Sequence, residues 1–153
     1  MKRVLVFIDY FEPGYRAGGP IHSLKNYIQM FYSQYDFYVV TRNHDLNNYI
    51  QYDYPTNEWL VKDNYRILYL NKSLIINIYR NIFNEIRPDI VYLNSFFSYK
   101  YSILPIYFLS KLNVNFLLAP RGELSTSAIK NKWVVKNIYV FIAKRLGYHI
   151  IYL

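Results

Sequence analysis

The chain contains five short apolar runs that alternate with longer amphipathic segments. Continuous runs of this length are typical of parallel strands that are buried on both faces of a sheet. The predicted strands cover 2–8, 37–41, 66–70, 89–93 and 115–119. A further run, 148–153, has the pattern of another strand.

Helical periodicity occupies the segments between these strands. One apolar stripe follows Pro20, a residue that suits the first turn of a helix. It comprises Ile21, Leu24, Ile28 and Phe31. Further helices are predicted over 73–87, with Ser73 as the N-cap, over 99–112 and over 127–146. This alternation predicts a Rossmann-like, three-layer α/β fold with a parallel sheet and helices on both faces.

The polar segment 42–64 interrupts this alternation. It lacks a clear period, so we expect an irregular loop there. A loop of this length is unusual in a compact domain and is more often functional or mobile.

Composition narrows the class of protein. The 153 residues suffice for one domain with a full core, and the sequence has no cysteine, which fits a reducing compartment. We expect no signal peptide, because 2–8 already has a strand pattern, and no membrane span, because no apolar run approaches about 18 residues. The expected location is the cytoplasm.

The net charge of +8 indicates an anionic partner, such as a nucleotide, a membrane surface or nucleic acid. Nucleic acid ranks last, because no basic run is interleaved with surface aromatic residues on one element. We therefore expect no nucleic-acid partner.

A glycine-rich loop, 11–20, follows the first strand and opens into the first helix. Glycine permits close approach of a ligand to the backbone, and a helix N-terminus offers unpaired N–H groups, so the arrangement favours an anionic ligand. Gly18 and Gly19 do not have the spacing of a dinucleotide fingerprint, and the loop lacks the Lys-Ser/Thr of a P-loop. A tight turn without a ligand is the alternative.

The carboxyl ends of parallel strands meet at one edge of a sheet, so the loops after the first, fourth and fifth predicted strands should share a crevice. The candidate substrate-binding residues in or beside these loops are Arg16, His22, Asn94, Ser95, Arg121, Gly122 and Glu123. Arg121 is well placed to bind a phosphate or carboxylate, and a salt bridge to Glu12 or Glu123 is the alternative. His22 either binds a sugar hydroxyl or faces solvent.

The sequence offers no pattern for a metal site or a nucleophilic triad. His44 and His149 are isolated, and nothing near them has metal-ligand spacing. We expect neither a metal nor a cofactor, and the catalytic residues stay unassigned.

Three segments resemble family-4 glycosyltransferases of the GT-B fold, which has two Rossmann domains. The segments are 13–21 (PGYRAGGPI), 89–97 (DIVYLNSFF) and 118–125 (LAPRGELS). They occur at the family's positions in the strand order, and the resemblance covers the family's N-terminal, acceptor-side half. It implies a hexosyltransferase of bacterial surface-polysaccharide synthesis whose donor-binding domain lies outside this chain.

The resemblance also implies roles for individual residues. Backbone N–H groups around Gly18 and Gly19 would approach the diphosphate of a nucleotide-sugar donor. Arg16, Asn94 and Arg121 would line the side of the saccharide or lipid-linked acceptor. Because the domain that grips the nucleotide is absent, we expect this chain alone to be inactive.

The predicted helix over 127–146 carries Lys132 and Lys136 opposite its apolar face. Such a basic face indicates docking on an anionic membrane surface, which would place the protein on the inner face of the cell membrane. A solvated lysine face is the alternative.

A different functional class fits the same alternation of strands and helices. A non-catalytic nucleotide-binding or flavodoxin-like module would also have a parallel sheet with ligands at its carboxyl edge. The two classes differ in the expected length of the native polypeptide.

Overall fold

The computed structural model describes residues 1–71, 77–109, 112 and 114–121. Its strands are β1 (Lys2–Phe7), β2 (Tyr35–Arg42), β3 (Trp59–Val61), β4 (Arg66–Leu70), β5 (Ile90–Leu93) and β6 (Asn115–Leu118). Its helices are α1 (Gly19–Phe31), α2 (Ile78–Ile86) and α3 (Leu104–Leu109), and a π-helical segment, Tyr99–Ile103, leads into α3. The five strands predicted within these residues are confirmed.

The strands form one sheet in the order β3-β4-β2-β1-β5-β6. All neighbouring strands pair in parallel except β3, which runs antiparallel to β4 at the edge. The chain moves outward from β1 first through β2 and β4 and later through β5 and β6. The topological switch point therefore lies between β1 and β5, where open α/β sheets bind ligands.

Helices cover both faces of this sheet. Val4 and Val6 of β1 belong to the same buried cluster as Leu24 of α1. Leu5 and Phe7, which point to the opposite face, belong to a second cluster that includes residues of α2 and α3. The prediction of a Rossmann-like α/β arrangement with helices on both faces agrees with this mixed α/β fold.

The helix boundaries follow from local sequence. Gly18 precedes α1 with a φ of 63°, a left-handed conformation that glycine adopts without a steric penalty. The predicted stripe of α1 is confirmed, because Ile21, Leu24 and Ile28 are buried. Arg87 ends α2 in a left-handed conformation immediately before Pro88, which cannot continue the helix.

The prediction of an irregular loop over 42–64 is wrong at one point, because it missed β3. This strand has three residues and lies at the edge of the sheet with its side chains partly or fully exposed, so it lacks a buried apolar run. Thr56 adds an isolated bridge to Tyr69.

The helix predicted over 99–112 instead begins with π-helical turns at 99–103. The Ser98 hydroxyl accepts a hydrogen bond from the Tyr101 N–H at 3.1 Å and so caps this segment. Several predicted features lie outside the described residues: the Ser73 cap, the helix over 127–146 with its lysines, and the run 148–153. Within the described part of the chain, we find no helix whose length and hydropathy would let it cross a membrane.

Candidate functional site

Two predicted site residues meet directly at the carboxyl edge of the sheet. Asn94 follows β5, and its N–H donates to the Phe7 carbonyl of β1 at 3.0 Å. Beyond β6, the Ala119 N–H donates to the Leu93 carbonyl at 2.9 Å. These ladder bonds continue the strand pairing past the strand ends and so fix the backbone that carries Asn94 and Arg121.

The Arg121 guanidinium, which follows β6, donates hydrogen bonds to β5, to the loop after β5 and to α1. Its Nε donates to Asn94 Oδ1, its Nη2 donates to the Tyr92 hydroxyl at 2.8 Å, and its Nη1 donates to Ser23 Oγ at 2.8 Å. We call these four residues the Arg121 cluster. Because Ser23 belongs to α1 and Tyr92 to β5, the cluster lies on the α1 face of the sheet.

The Asn94 amide contains an unsatisfied donor. Asn94 is only 4% exposed, and its Nδ2 has no hydrogen-bond partner among the described residues. The opposite amide orientation is disfavoured, since it would bring the amide N–H groups against the Arg121 N–H. A buried donor without an acceptor costs about 1–3 kcal/mol, so an oxygen atom of a ligand would be stabilised here.

Tyr92 supports the arginine as a neutral hydroxyl. Burial raises the pKa of Tyr92, and the nearby charge of Arg121 opposes this shift without reversing it. The neutral hydroxyl accepts from Arg121, and it lies 3.5 Å from Asn94 Oδ1. The cluster therefore carries the single positive charge of Arg121.

The predicted glycine pair opens α1. The Gly18 carbonyl accepts from the N–H groups of Ile21 and His22, which closes the first turn. A Cβ at Gly19 would meet no atom of the described residues within 4 Å, so the backbone is open there. The N–H of the first helical residue has no acceptor within its own helix. The loop can therefore present a backbone donor to a ligand.

The preceding part of the glycine-rich loop is held by Asp45, which sequence reasoning missed. The Asp45 carboxylate accepts from the backbone N–H groups of Tyr15 at 3.0 Å, Arg16 at 3.2 Å and Leu46 at 2.8 Å. Burial by itself would raise the pKa of Asp45, but these hydrogen bonds lower it below its usual value. No local pattern predicts a contact across 30 residues.

The structure does not bring the remaining candidates into the Arg121 cluster. Arg16 is exposed, and its Nη1 lies 3.5 Å from the Asn47 carbonyl. His22 is exposed on the first turn of α1. Gly122 and Glu123 lie outside the described residues.

The salt-bridge alternative for Arg121 is not supported for Glu12, and Glu123 lies outside the described residues. Glu12 pairs with Lys25 and accepts from the Tyr65 hydroxyl at 2.6 Å. Burial favours a higher pKa for the Glu12 carboxyl, but the hydrogen bonds from Lys25 and Tyr65 lower it. Glu12 thus ties the glycine-rich loop to α1 and to the hairpin of β3 and β4.

Ser95 lies in a second polar region at the same edge, on the α3 face. Its carbonyl accepts from the Ser102 hydroxyl, and it lines a pocket of about 450 Å³ with Asp9 and Arg42. Asp9 and Arg42 form an ion pair in this pocket, and sequence reasoning missed it. The available signal was its position, since Asp9 follows β1 and Arg42 ends the neighbouring parallel strand β2.

Within residues 1–71, 77–109, 112 and 114–121, no three His, Asp or Glu side chains are grouped so that they would hold a metal ion.

Comparison with known proteins adds no assignment. No protein-family model matches the chain, and no curated protein has a significantly similar sequence.

Proposed function

We propose that this chain is the acceptor-side domain of a GT-B glycosyltransferase that transfers a sugar from a nucleotide-sugar donor to a saccharide or lipid-linked acceptor. The observation that carries the proposal is the Arg121 cluster, a guanidinium and a buried unsatisfied amide donor at the carboxyl edge of β5 and β6. These donors suit the oxygen atoms of a phosphate or a sugar. The described parts of the three motif segments, 13–21, 89–97 and 118–121, lie at this edge.

The topology supports the same placement. The switch point between β1 and β5 lies beside Asn94, and the loop after β1 leads to the open backbone at Gly19. A donor diphosphate at Gly19 and an acceptor beside Arg121 would approach one edge from two loops. The proposed arrangement therefore brings both substrates to a single crevice.

In the proposed reaction, the oxygen of an acceptor hydroxyl attacks the anomeric carbon of the donor sugar, and the hydroxyl proton passes to the leaving diphosphate or to water. The bond from this carbon to the diphosphate oxygen breaks, and negative charge develops on the leaving diphosphate. The N–H of Gly19 would stabilise part of that charge, while Arg121 and Asn94 would orient acceptor oxygens. A second Rossmann domain would grip the nucleotide and supply the remaining charge stabilisation.

The first experiment compares the native polypeptide with the 153-residue chain. A native product that is larger by roughly 150–200 residues and transfers sugar from one of a panel of nucleotide sugars is the expected result. The 153-residue chain should show no transfer and, by calorimetry, weak or no nucleotide-sugar binding. A native mass of 18.5 kDa together with micromolar nucleotide binding would favour the non-catalytic nucleotide-binding or flavodoxin-like module instead.

The net charge of +8 supports a further part of the proposal, contact with an anionic membrane surface. The test is cosedimentation of the chain with anionic and with neutral lipid vesicles at several salt concentrations. Binding to anionic vesicles alone, weakened by salt, is expected. The double variant Lys132→Glu/Lys136→Glu should bind less, and equal binding would place the membrane contact elsewhere.

A further inference from the structure

The pocket beside Asp9 and Arg42 contains an ion pair that is partly open to solvent. Arg42 donates from Nε to Asp9 Oδ1 at 3.2 Å, and Nη2 reaches the same oxygen. The side chains of Arg42 and Asp9 retain 27% and 22% of their exposure. The ion pair therefore uses one carboxylate oxygen and two guanidinium nitrogens. Among the described residues, Asp9 Oδ2 and Arg42 Nη1 have no other hydrogen-bond partner and can serve a ligand.

The guanidinium of Arg42 is held rigidly in this position. Its central carbon lies 5.2 Å from the ring centres of both Tyr10 and Tyr101. Asp9 is held through its backbone as well, because its carbonyl accepts from the Thr41 hydroxyl and the Arg42 N–H, each at 3.3 Å. Both charged groups are thus fixed before a ligand arrives, which lowers the entropic cost of binding.

The remaining wall of the pocket combines hydroxyl groups with aromatic rings. Ser95 and Ser98 line one part, and Phe97 and Tyr99 line another. Tyr99 is 56% exposed, so its ring is accessible. A few fixed polar groups beside aromatic surface are typical of small-molecule sites.

We propose that this pocket binds one uncharged, hydroxyl-rich sugar ring, with sugar hydroxyls donating to Asp9 Oδ2 and accepting from Arg42 Nη1. Each hydroxyl can donate and accept, which matches a carboxylate beside a guanidinium. A phosphate dianion has no proton to donate to Asp9 Oδ2, so it cannot use both groups in this way. The ring would be part of the acceptor, and that role rests on the proposed function, whereas binding itself is independent of transfer.

The test measures binding to the 153-residue chain by saturation-transfer NMR. The probes are the methyl glycosides of glucose, galactose, mannose and N-acetylglucosamine, and the competitors are inorganic phosphate and uridine. We expect at least one glycoside to bind, without displacement by either competitor. Failure of all four probes to bind, or displacement by phosphate or uridine, would overturn the proposal.

Three variants locate the binding. Asp9→Asn should weaken glycoside affinity about tenfold or more, because a hydrogen bond to a charged group is lost. Tyr99→Ala should also weaken it, by about threefold or more, and leaves the buried residues intact because Tyr99 is largely exposed. Tyr32→Ala is the matched control: Tyr32 is 49% exposed and ends α1 at the opposite edge of the sheet, so affinity should not change.

The thermal midpoint of each variant separates binding from folding. If Asp9→Asn unfolds, the Tyr99→Ala result decides, and unchanged affinity in that variant refutes the pocket. In the native polypeptide, transfer that persists undiminished in Asp9→Asn would refute the acceptor role alone. Glycoside binding that requires Asp9 in a protein without transferase activity would instead refute the proposed function and retain the pocket.

Discussion

The carboxylate of Asp45 accepts the backbone N–H of Tyr15 at 3.0 Å, across 30 residues of chain. The same carboxylate also holds the Arg16 and Leu46 N–H groups. A side chain from the loop after β2 therefore sets the path of the loop after β1. The position of the open backbone at Gly19 depends on a residue that contacts no part of the Arg121 cluster among the described residues.

We predict that Asp45→Asn destabilises the fold by about 1–3 kcal/mol, because an amide offers one acceptor oxygen and leaves buried N–H groups unpaired. The measurement is urea unfolding of both proteins at neutral pH. Asp36→Asn provides a control for the loss of one carboxylate at a half-buried position on β2. Equal stability of Asp45→Asn and wild type would show that the loop holds its path without this carboxylate.

The stability conferred by Asp45 should also depend on pH. Its folded-state pKa lies below the usual value of 3.8, so the unfolded state binds a proton more readily. The contribution is therefore complete above about pH 3.8 and is lost as the pH falls through the lower folded-state pKa. The measurement is the unfolding free energy as a function of pH. Below this pH it should fall less steeply in Asp45→Asn than in wild type.

Gly14 and Gly19 lie in the same loop but differ in the space around a Cβ atom, so they offer a matched comparison. A Cβ at Gly14 would lie 2.5 Å from the Tyr52 hydroxyl and 2.8 Å from Asp45 Oδ1, whereas one at Gly19 would meet nothing within 4 Å. Gly14→Ala should cost about 1–3 kcal/mol, because Asp45 is fixed by three backbone donors and must shift. Gly19→Ala should be neutral or slightly stabilising, since alanine favours the helix. Similar unfolding midpoints for both variants would contradict this assignment.

Two tyrosines should respond differently to loss of the hydroxyl. The Tyr79 hydroxyl donates to the Lys100 carbonyl at 2.8 Å, whereas the buried Tyr52 hydroxyl has no partner among the described residues. Tyr79→Phe should cost about 1 kcal/mol, and Tyr52→Phe should cost nothing or stabilise the fold. Chemical denaturation at neutral pH distinguishes them, and a larger loss in Tyr52→Phe would refute the prediction.

We expect the fold to lose stability at alkaline pH because of the same two tyrosines. Burial raises the pKa of Tyr79 to about 12 and that of Tyr52 to about 12, from a usual value of 10.0. The unfolded state therefore releases these protons first, so the contribution is complete below about pH 10 and is lost as the pH rises toward about 12. The unfolding free energy should fall across this interval, and less so in either phenylalanine variant.

The sequence predicted the central strands well because strands that are buried on both faces have continuous apolar sequences. Residues 4–7 of β1 and 67–70 of β4 are continuous apolar runs with helices or other chain segments on both faces. β3 has no such extended apolar run, since this strand of three residues is stabilised by pairing with β4 rather than by its own hydrophobicity. β3 is thus the strand of this sheet that depends most on tertiary contacts.

The candidate site was predictable only as far as strand topology determines it. Asn94 and Arg121 meet because adjacent parallel strands end at one edge, and this follows from the strand order. The participation of Ser23 depends on how α1 crosses the sheet, which sequence periodicity does not specify. Arg16 lies apart from the Arg121 cluster, because the loop turns toward Asp45 and the carbonyl of Asn47.

The last prediction tests whether the Arg121 guanidinium contacts substrate. In the native polypeptide, Arg121→Ala should lower turnover about tenfold to a thousandfold, as expected when a preorganised charged donor is lost. Arg121→Lys should not restore it, because one ammonium cannot replace a planar fork that reaches Asn94, Tyr92 and Ser23 together.

Arg80→Ala, an exposed arginine of α2, is the matched control and should leave turnover unchanged. Turnover is compared per folded molecule, with the thermal midpoint measured for each variant. A purely structural arginine would lower the midpoint while sparing turnover, and that result would remove Arg121 from the proposed acceptor site. Arg121→Ala loses hydrogen bonds to Asn94, Tyr92 and Ser23 and should therefore lower the midpoint as well, so a large loss of turnover per folded molecule is the outcome that supports substrate contact.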